Sequence, residues 1–233
     1  MFRILMAASS DFSFIIIFII ALIIAGLFWH YKSTKQVILR TLKKTVAKPI
    51  TRIQNKEYAK IIGTAKHVDQ PLTAPLSGRK CIFYQLKVER KGSKHGWHTL
   101  LEETRTQDFF IATNDEMAIV KLDQPNTFRK IYLEKDHQQN SGFLNDANAT
   151  LERLLKNRGH SSTNLLGFNR TLRYFEGVIE LDEKIAVVGI AQWKSLREPI
   201  EGFGYSKILT LLGSKDQKLL ITDLKKATLN DAY

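Results

Sequence analysis

The sequence predicts a single N-terminal transmembrane helix followed by a mainly-β soluble domain with one inserted helix. The β-domain is either a barrel, with OB-like forms among the alternatives, or a sandwich. Three observations predict this class. Residues 12–28 hold thirteen Phe, Ile and Leu side chains and no charged one. Several later segments alternate apolar and polar residues with the period of a β-strand, and one stretch near residue 150 has the period of a helix.

The apolar run at 12–31 has the length of a membrane span. Its residues through Trp29 reach roughly 27 Å at about 1.5 Å each, and His30 and Tyr31 extend this towards a hydrocarbon core of about 30 Å. A secretory signal peptide is the weaker alternative, because the run exceeds about 15 residues and a basic segment follows it. The anchor residues that we single out are Phe12, Phe14, Ile16, Ile20, Ile24 and Trp29.

Charges on either side of the run predict its orientation. Arg3 and Asp11 lie in the short tail at 1–11, whereas a group of cations follows the span within residues 32–48. Because cytoplasmic loops are enriched in Lys and Arg, we expect the N-terminus outside, the C-terminal domain in the cytoplasm, and anionic headgroups as a lipid partner. The cations are Lys32, Lys35, Arg40, Lys43, Lys44 and Lys48.

Residues 32–57 form the predicted basic juxtamembrane segment. Ile38, Leu42 and Val46 recur at four-residue spacing, which indicates an amphipathic helix that continues from the span and ends at Pro49. The apolar stripe of this helix either packs on the soluble domain or lies among the headgroups, and the sequence leaves both interpretations open.

Composition limits what the remaining domain, residues 58–233, does. Of the formal net charge of +12, the first sixty residues carry +8, so most of the basicity lies beside the membrane and a nucleic acid is not the expected partner. Cys81 is the one cysteine. This excludes an intramolecular disulfide and a zinc site built on several thiolates, and it suits a reducing compartment.

Alternating patterns predict the strands of this domain. In residues 81–90, Ile82 and Tyr84 share one face with Leu86 and Val88, while Gln85, Lys87 and Glu89 lie on the solvent side. The last two strands are expected to form a hairpin across residues 213–216. The predicted strands are 61–68, 81–90, 97–106, 108–113, 117–122, 171–181, 185–193, 208–212 and 219–222.

The inserted helix is predicted between Asp146, which caps its start, and Gly159, which stops it. Leu151, Leu154 and Leu155 share one face of this helix. The polar stretch that precedes it, from 123 to about 145, has no clear period and no predicted strand.

Three blocks of the sequence resemble a known family. They are PLTAPLSGRKCIFYQLKVE, then FFIATNDEMAIVKLD after Trp97, and finally RYFEGVIELDEKIAVVGIAQW. In this order after a membrane span, they resemble the GIDE or "beside a membrane" domain of the MULAN-type mitochondrial ubiquitin ligases, a domain that prokaryotic relatives share. The likeness covers roughly residues 58–225. The positions that carry it include Pro71, Leu72, Pro75, Gly78, Cys81, Tyr84, Trp97, Arg173, Glu176 and Gly189.

The resemblance implies the membrane-adjacent domain of that family and not its catalytic part. The eukaryotic ligases have a second membrane span and a C-terminal zinc RING, which needs about eight Cys or His ligands in close pairs. This sequence has one Cys and six scattered His. Ubiquitin transfer would therefore need a RING supplied in trans.

Individual residues with chemical potential have mainly structural interpretations. The lone thiol of Cys81 is expected in the core, and Tyr84 and Trp193 are expected as core anchors. His95 and His98 lie three apart at a turn without a nearby carboxylate cluster, so metal binding is not expected there.

Arg173 and Glu176 are three residues apart on a predicted strand, which places them on opposite faces. We expect one of them to pack inward with a partner from the first block, whose Pro71, Pro75 and Gly78 fix a loop. The sequence contains no phosphate-binding loop, nucleophile elbow or paired metal carboxylates, so no catalytic residue, metal or cofactor is expected.

Together these features favour a membrane-anchored binding or scaffolding module at the cytoplasmic face, with an unidentified protein partner and no turnover chemistry of its own. One alternative is ubiquitin-protein transfer, or a role in organelle or membrane organisation, as in the RING-containing members of the family that it resembles. The second alternative is a small nucleic-acid-binding barrel, motivated by the residual charge of +4 on residues 61–233.

Overall fold

The computed structural model describes residues 2–92, 96–114, 116–122, 128–134, 137–141, 149–163, 169–196 and 206–229. The side chains of 2–13, 137 and 139–141 are outside that description. Within these residues the chain forms one apolar N-terminal helix and a mainly-β domain with a later helix, which confirms the predicted fold class. His95, Asp146 and the side chain of Phe12, which the sequence singled out, lie outside the described residues.

Four helices and twelve strands lie in the described chain. The helices are α1 (Phe2–Lys32), α2 (Thr34–Lys44), α3 (Ala149–Asn157) and α4 (Lys225–Thr228), and a single 3₁₀ turn spans Ile50–Arg52. The strands are β1 (Tyr58–His67), β2 (Leu72–Thr73), β3 (Lys80–Lys91), β4 (Trp97–Thr106), β5 (Phe109–Thr113), β6 (Glu116–Val120), β7 (Arg129–Tyr132), β8 (His137–Ser141), β9 (Leu172–Glu180), β10 (Lys184–Ser195), β11 (Lys207–Leu212) and β12 (Leu219–Thr222).

Helix α1 is long and apolar enough to cross a membrane. Its segment Phe14–Lys32 has a mean hydropathy of 2.5, and none of it is buried against the rest of the protein. The predicted anchor side chains from Phe14 to Trp29 are accordingly exposed. The helix already begins at Phe2, so the residues of the predicted tail are helical as well.

Helix α2 is separated from α1 and is shorter than predicted. Ser33 breaks the continuity and caps α2, because its hydroxyl accepts a hydrogen bond from the Gln36 N–H at 3.4 Å. The helix ends at Lys44, ahead of the predicted stop at Pro49, because Thr45 is already extended.

Five strands close into a barrel. β1 pairs with both β5 and β10, and β6 connects β5 to β11, which pairs with β10, so the order β1-β5-β6-β11-β10 returns to its start. Each pair is antiparallel except β6 with β11. Closure leaves the ring without a free edge. Inward side chains such as Ile61, Ile111, Val120 and Leu209 fill the interior.

Strands β11 and β12 lie end to end, so the predicted hairpin is wrong. Both run antiparallel to β10, β11 along residues 190–195 and β12 along 186–188. Residues 213–218 leave this line and rejoin it, and the Ser214 N–H donates to the Gln217 carbonyl oxygen at 2.8 Å within the excursion. The turn residues were found correctly, but they do not reverse the chain. β7, which no pattern predicted, pairs in parallel with β12.

The second sheet has five strands with β3 at its centre. β9 pairs along one edge of β3 and then with β8, while β2 and β4 share the other edge. A tight turn with Asp182 at φ 65° leads from β9 into the barrel strand β10. Helix α3 covers one face of this sheet with its three leucines, and Gly159, at φ 72°, follows its end as predicted.

An irregularity in β3 moves one predicted core residue to another core. The register with β9 shifts between Cys81 and Phe83, and Ile82 packs with Phe83 in the barrel interior. Cys81 and Tyr84 pack instead under α3. The predicted shared face of Ile82 and Tyr84 is therefore wrong, because an extra residue reverses the alternation of side chains.

Candidate functional site

The amphipathic helix α2 lies on the outside of the barrel. Its Ile38 and Leu42 are 0% and 3% exposed, and they pack against β1, β10, β12 and α4. Val46, the third predicted member of the stripe, is 70% exposed because the helix ends before it. Of the two interpretations that the sequence left open for this stripe, the structure shows packing on the domain.

A buried lysine lies beneath the C-terminal end of α2. Lys60 of β1 is 2% exposed, and its Nζ donates a hydrogen bond to the Leu42 carbonyl oxygen at 3.3 Å. Burial lowers the pKa of this amine. The partial negative charge at a helix C-terminus favours its cationic form. Sequence reasoning missed this contact, because a lysine in an alternating strand has the pattern of an exposed residue.

Arg40 connects α2 back to the end of α1. Its Nη2 donates to the Tyr31 carbonyl oxygen at 2.5 Å, and its Nε donates to the Gln36 carbonyl oxygen at 3.1 Å. The guanidinium also lies 3.4 Å from the centroid of the Tyr31 ring. This residue, predicted as a headgroup cation, thus stabilises the bend at Ser33.

The other predicted headgroup cations are exposed. Lys48 forms an ion pair with Glu57, and its hydrogen bond is the main cause of the lowered pKa of that carboxyl. In the part of the chain that the structure describes, no ion pair engages the remaining four. They are Lys32, Lys35, Lys43 and Lys44.

The face of the second sheet that α3 covers also holds a buried carboxylate. Glu176 of β9 is fully buried and accepts hydrogen bonds from the N–H groups of Leu76 at 2.8 Å and Ser77 at 3.0 Å. It is therefore the inward member of the Arg173 and Glu176 pair, and its partners belong to the first block, as the sequence predicted. Gly78, at φ 71°, lies in the same loop, and Pro71, Leu72 and Pro75 are half-buried there.

Hydrogen bonds close this covered face at its edge. Tyr84 donates its hydroxyl to Glu103 of β4 at 2.5 Å, and Arg158, just after α3, donates to the same carboxylate at 2.6 Å. The Arg158 hydrogen bond is the main cause that lowers the pKa of Glu103 to about 2. Burial is the main cause that raises the pKa of the Cys81 thiol to about 11, and the charge of Glu176 adds to it. The thiol is thus a protonated core group.

The opposite face of the same sheet borders a cleft of about 520 Å³. β3 and β9 form its floor, and residues 131–134, in and after β7, form a wall. Because β7 was not predicted, this wall was not predicted either. The lining residues include Gln85, Lys87, Glu89, Arg173, Phe175 and Gly177 on the floor, with Ile131, Tyr132, Leu133 and Glu134 on the wall.

A charged cluster occupies the floor of the cleft. Glu89 is 7% exposed, lies opposite Arg173 in the strand register, and accepts hydrogen bonds from Arg173 Nε and from Lys87, whose Nζ is 2.7 Å away. The Lys87 hydrogen bond is the main cause of the lowered pKa of Glu89. The Arg173 guanidinium lies 4.2 Å from the centroid of Trp97 and 5.6 Å from that of Phe175. Glu89 is therefore buried by its two cationic neighbours, whereas alternation predicted a side chain exposed to solvent.

The remaining positions that the sequence singled out have structural surroundings. A Cβ at Gly189 would lie 2.8 Å from Leu219 Cδ1 and 3.0 Å from the Leu212 carbonyl oxygen, so a side chain here would force its neighbours to shift. Trp193 is half-buried and donates its Nε1–H to the Ile53 carbonyl oxygen at 2.9 Å. His98 is exposed, and among the described residues no group of three or more His, Cys, Asp or Glu could hold a metal ion.

No protein family, curated protein or solved structure matches this chain. Its function is therefore inferred from two features of its own geometry. The first is the junction of α1, α2 and the barrel, and the second is the charged cleft on the open face of the second sheet.

Proposed function

We propose that this protein is a single-pass, membrane-anchored binding or scaffolding module, with a GIDE-like domain of the MULAN type at the cytoplasmic face and no turnover chemistry of its own. The three sequence blocks support the GIDE-like assignment, and the excess of cations after the span supports the orientation. The partner is a protein that meets the domain at the membrane surface.

The observation that carries the proposal is the junction between the span and the domain. α1 exposes its apolar side chains, whereas α2, which starts after Ser33, buries Ile38 and Leu42 on the barrel. Arg40 bonds the end of one helix to the other. An apolar helix joined in this way holds the domain against the bilayer, which is the arrangement expected of a module that works at the membrane surface.

Exposed lysines near this junction that form no ion pair with any described residue support contact with anionic lipid. Lys32 and Lys35 follow the span, and Lys43 and Lys44 lie at the end of α2. Helix α4, which packs against α2, exposes two more lysines. Each cation near an anionic leaflet contributes about 1 kcal/mol. We therefore test lipid contact by flotation of the full chain carrying Ile24→Arg, which weakens insertion of the span. We expect more of this variant to float with phosphatidylglycerol vesicles than with phosphatidylcholine vesicles.

Carbonate extraction of membranes tests the anchor. Ile24→Arg places a charge near the middle of the apolar segment Phe14–Lys32, which costs about 3 kcal/mol of insertion free energy on the biological scale. We expect this variant to move from the carbonate-resistant pellet to the soluble fraction, while the control Ile24→Leu stays in the pellet. Extraction of the wild type by carbonate would show that α1 does not span the bilayer.

Purification of the full chain from membranes in detergent tests the binding role. We expect a protein partner to co-purify in a fixed ratio with both the wild type and Ile24→Leu. Recovery of no stable protein or lipid partner, together with measurable turnover by the pure chain, would reject the proposal.

Protease added to intact cells should leave the domain uncut if it lies in the cytoplasm.

A further inference from the structure

We propose that the charged cleft binds an extended peptide segment of the protein partner, with one acidic side chain flanked by apolar ones. The inference rests on the proposed binding role, because it names the surface and the chemistry by which the partner is recognised. The acidic side chain would lie on Arg173 and Lys87, and the apolar ones would lie against the wall of the cleft.

The floor of the cleft is built to receive a carboxylate. Arg173 uses its Nε on Glu89, and neither of its Nη groups has a hydrogen-bond partner among the described residues. The stack on Trp97 fixes the plane of the guanidinium, so these donors are already oriented. A guanidinium presents paired N–H groups that match the two oxygens of a carboxylate. With Lys87, two cations surround the single charge of Glu89, which leaves a local excess of one positive charge.

The wall and the glycine of the floor favour a peptide over a free small acid. Ile131 and Leu133 pack against the barrel core but are only partly buried there, and they line the cleft with Phe175. A cleft of about 520 Å³ is in the range of ligand sites and exceeds what one carboxylate fills. Gly177 lies directly beneath Leu133, since a Cβ there would be in van der Waals contact with Leu133 Cβ at 3.5 Å, so an apolar side chain of the wall borders the charged floor. An extended chain alternates its side chains, so neighbouring apolar residues reach the wall while the acidic one reaches the floor.

The rim of the cleft disfavours a polyanion. Glu134 is exposed at the wall and places a negative charge on the rim of the cleft. A single carboxylate that reaches Arg173 is attracted, whereas a chain of phosphates or a bilayer of anionic lipid would also meet the negative rim. The charge pattern therefore fits one acidic residue and not a nucleic acid or a lipid surface.

Selection from two matched peptide libraries tests this assignment. The first is acetyl-Xaa-Xaa-Glu-Xaa-Xaa-amide, with Xaa drawn from Ala, Leu, Ile, Val, Phe and Ser, and the second has Gln in place of Glu. The full chain in detergent micelles is the bait, and the bound peptides are counted by mass spectrometry. We expect the Glu library to be retained at least about fivefold more than the Gln library, with apolar residues enriched beside the Glu.

Three variants locate the binding. Lys87→Gln should reduce retention of the Glu library severalfold. Glu89→Gln should increase it, because the internal carboxylate no longer competes for the two cations, whereas general damage to the fold would decrease it. Lys156→Gln is the matched control, since Lys156 is exposed on α3 at the other side of the sheet and its loss changes the net charge equally. It should leave retention unchanged.

Four outcomes would overturn the proposal. The first is equal retention of the two libraries, and the second is an effect of Lys156→Gln equal to that of Lys87→Gln. The third is weaker binding by Glu89→Gln. The fourth is displacement of the peptides by inorganic phosphate or by a single-stranded oligonucleotide, which would identify a phosphate ligand. The proposed function is tested separately. If a partner co-purifies equally with the wild type and Lys87→Gln while both libraries fail to bind, the module binds its partner elsewhere and only the cleft assignment is lost.

Discussion

The two faces of the second sheet differ in how they treat a buried carboxylate. On the covered face, Glu176 takes its hydrogen bonds from the backbone of a loop, and α3 excludes solvent around it. On the open face, Glu89 takes its hydrogen bonds from Lys87 and Arg173, whose side chains also line a cleft. Glu176 therefore stabilises the fold, whereas Glu89 positions two cations that have further N–H donors available for a ligand.

A structural carboxylate and one that prepares a binding surface differ in which groups donate their hydrogen bonds. Backbone N–H groups are held in place by the fold and cannot reorient towards a ligand, so a carboxylate that accepts their hydrogen bonds has a structural role. Side-chain cations have several donors each, so they hold the buried acid and remain able to bind a second one. Changes on the covered face should therefore alter stability, and changes on the open face should alter binding.

Truncation of a buried leucine of α3 should have the largest effect on stability. Leu155 is fully buried against the covered face, so Leu155→Ala should lower the free energy of unfolding by about 3 kcal/mol. Urea unfolding of the full chain in detergent micelles, followed by tryptophan fluorescence, measures this. The control Lys156→Ala, at an exposed position of the same helix, should stay within about 0.5 kcal/mol of the wild type.

Neutralising the structural carboxylate should have the next largest effect. Glu176→Gln replaces one of the two acceptor oxygens by an amide donor, so one of the N–H groups of Leu76 and Ser77 loses its partner. The expected loss is about 2 kcal/mol in the same unfolding assay. Glu102→Gln, on an exposed position of β4, is the matched control. An equal and small effect of both variants would contradict the assigned role of Glu176.

Acidification should weaken the covered face through Glu103. Its pKa of about 2 in the folded protein lies below the unfolded pKa of about 4.3. The ionised carboxylate therefore contributes its full stabilisation above about pH 4.3, and this stabilisation is lost as the pH falls towards 2. Between pH 6 and pH 3 we expect this carboxylate to account for about 1.5 kcal/mol of lost unfolding free energy. Glu103→Gln should lose correspondingly less over the same range. Identical pH profiles of the two proteins would show that Arg158 does not hold the carboxylate.

Neutralising a cation of the open face should have the smallest effect on stability. Lys87 has a side chain that is 37% exposed, so its ion pair with Glu89 is partly screened. Lys87→Gln should change the free energy of unfolding by less than about 0.5 kcal/mol. A larger loss in urea unfolding would mean that this face is as structural as the covered one, and the comparison would fail.

Periodicity was sufficient for the elements that have one face to bury. The span at α1, the strand β4 and the leucine face of α3 were all predicted from the spacing of apolar residues. The inward position of one member of the Arg173 and Glu176 pair also followed from alternation. The signal is strong in these cases because a single burial direction decides every side chain.

The errors arise where tertiary contacts decide. β7 and β8 lie in a polar stretch and gain their order from pairing with β12 and β9, which local sequence does not encode. The excursion at 213–218 has the composition of a hairpin turn, yet β10 offers one continuous edge on which both strands pair. The cleft was missed for the same reason, since one of its walls begins at β7.

The bend at Ser33 has a consequence for how a partner is encountered. If residues 32–57 were a flexible tether, the domain would explore roughly 25–30 Å around its anchor. In the proposed arrangement, with α1 across the bilayer, the packing of α2 on the barrel and the hydrogen bond from Arg40 to Tyr31 would restrict how far the cleft moves from the membrane surface. A protein partner confined to the same membrane would then reach the cleft by diffusion in two dimensions, and its effective concentration would be set by the area of the bilayer and not by the volume of the cell.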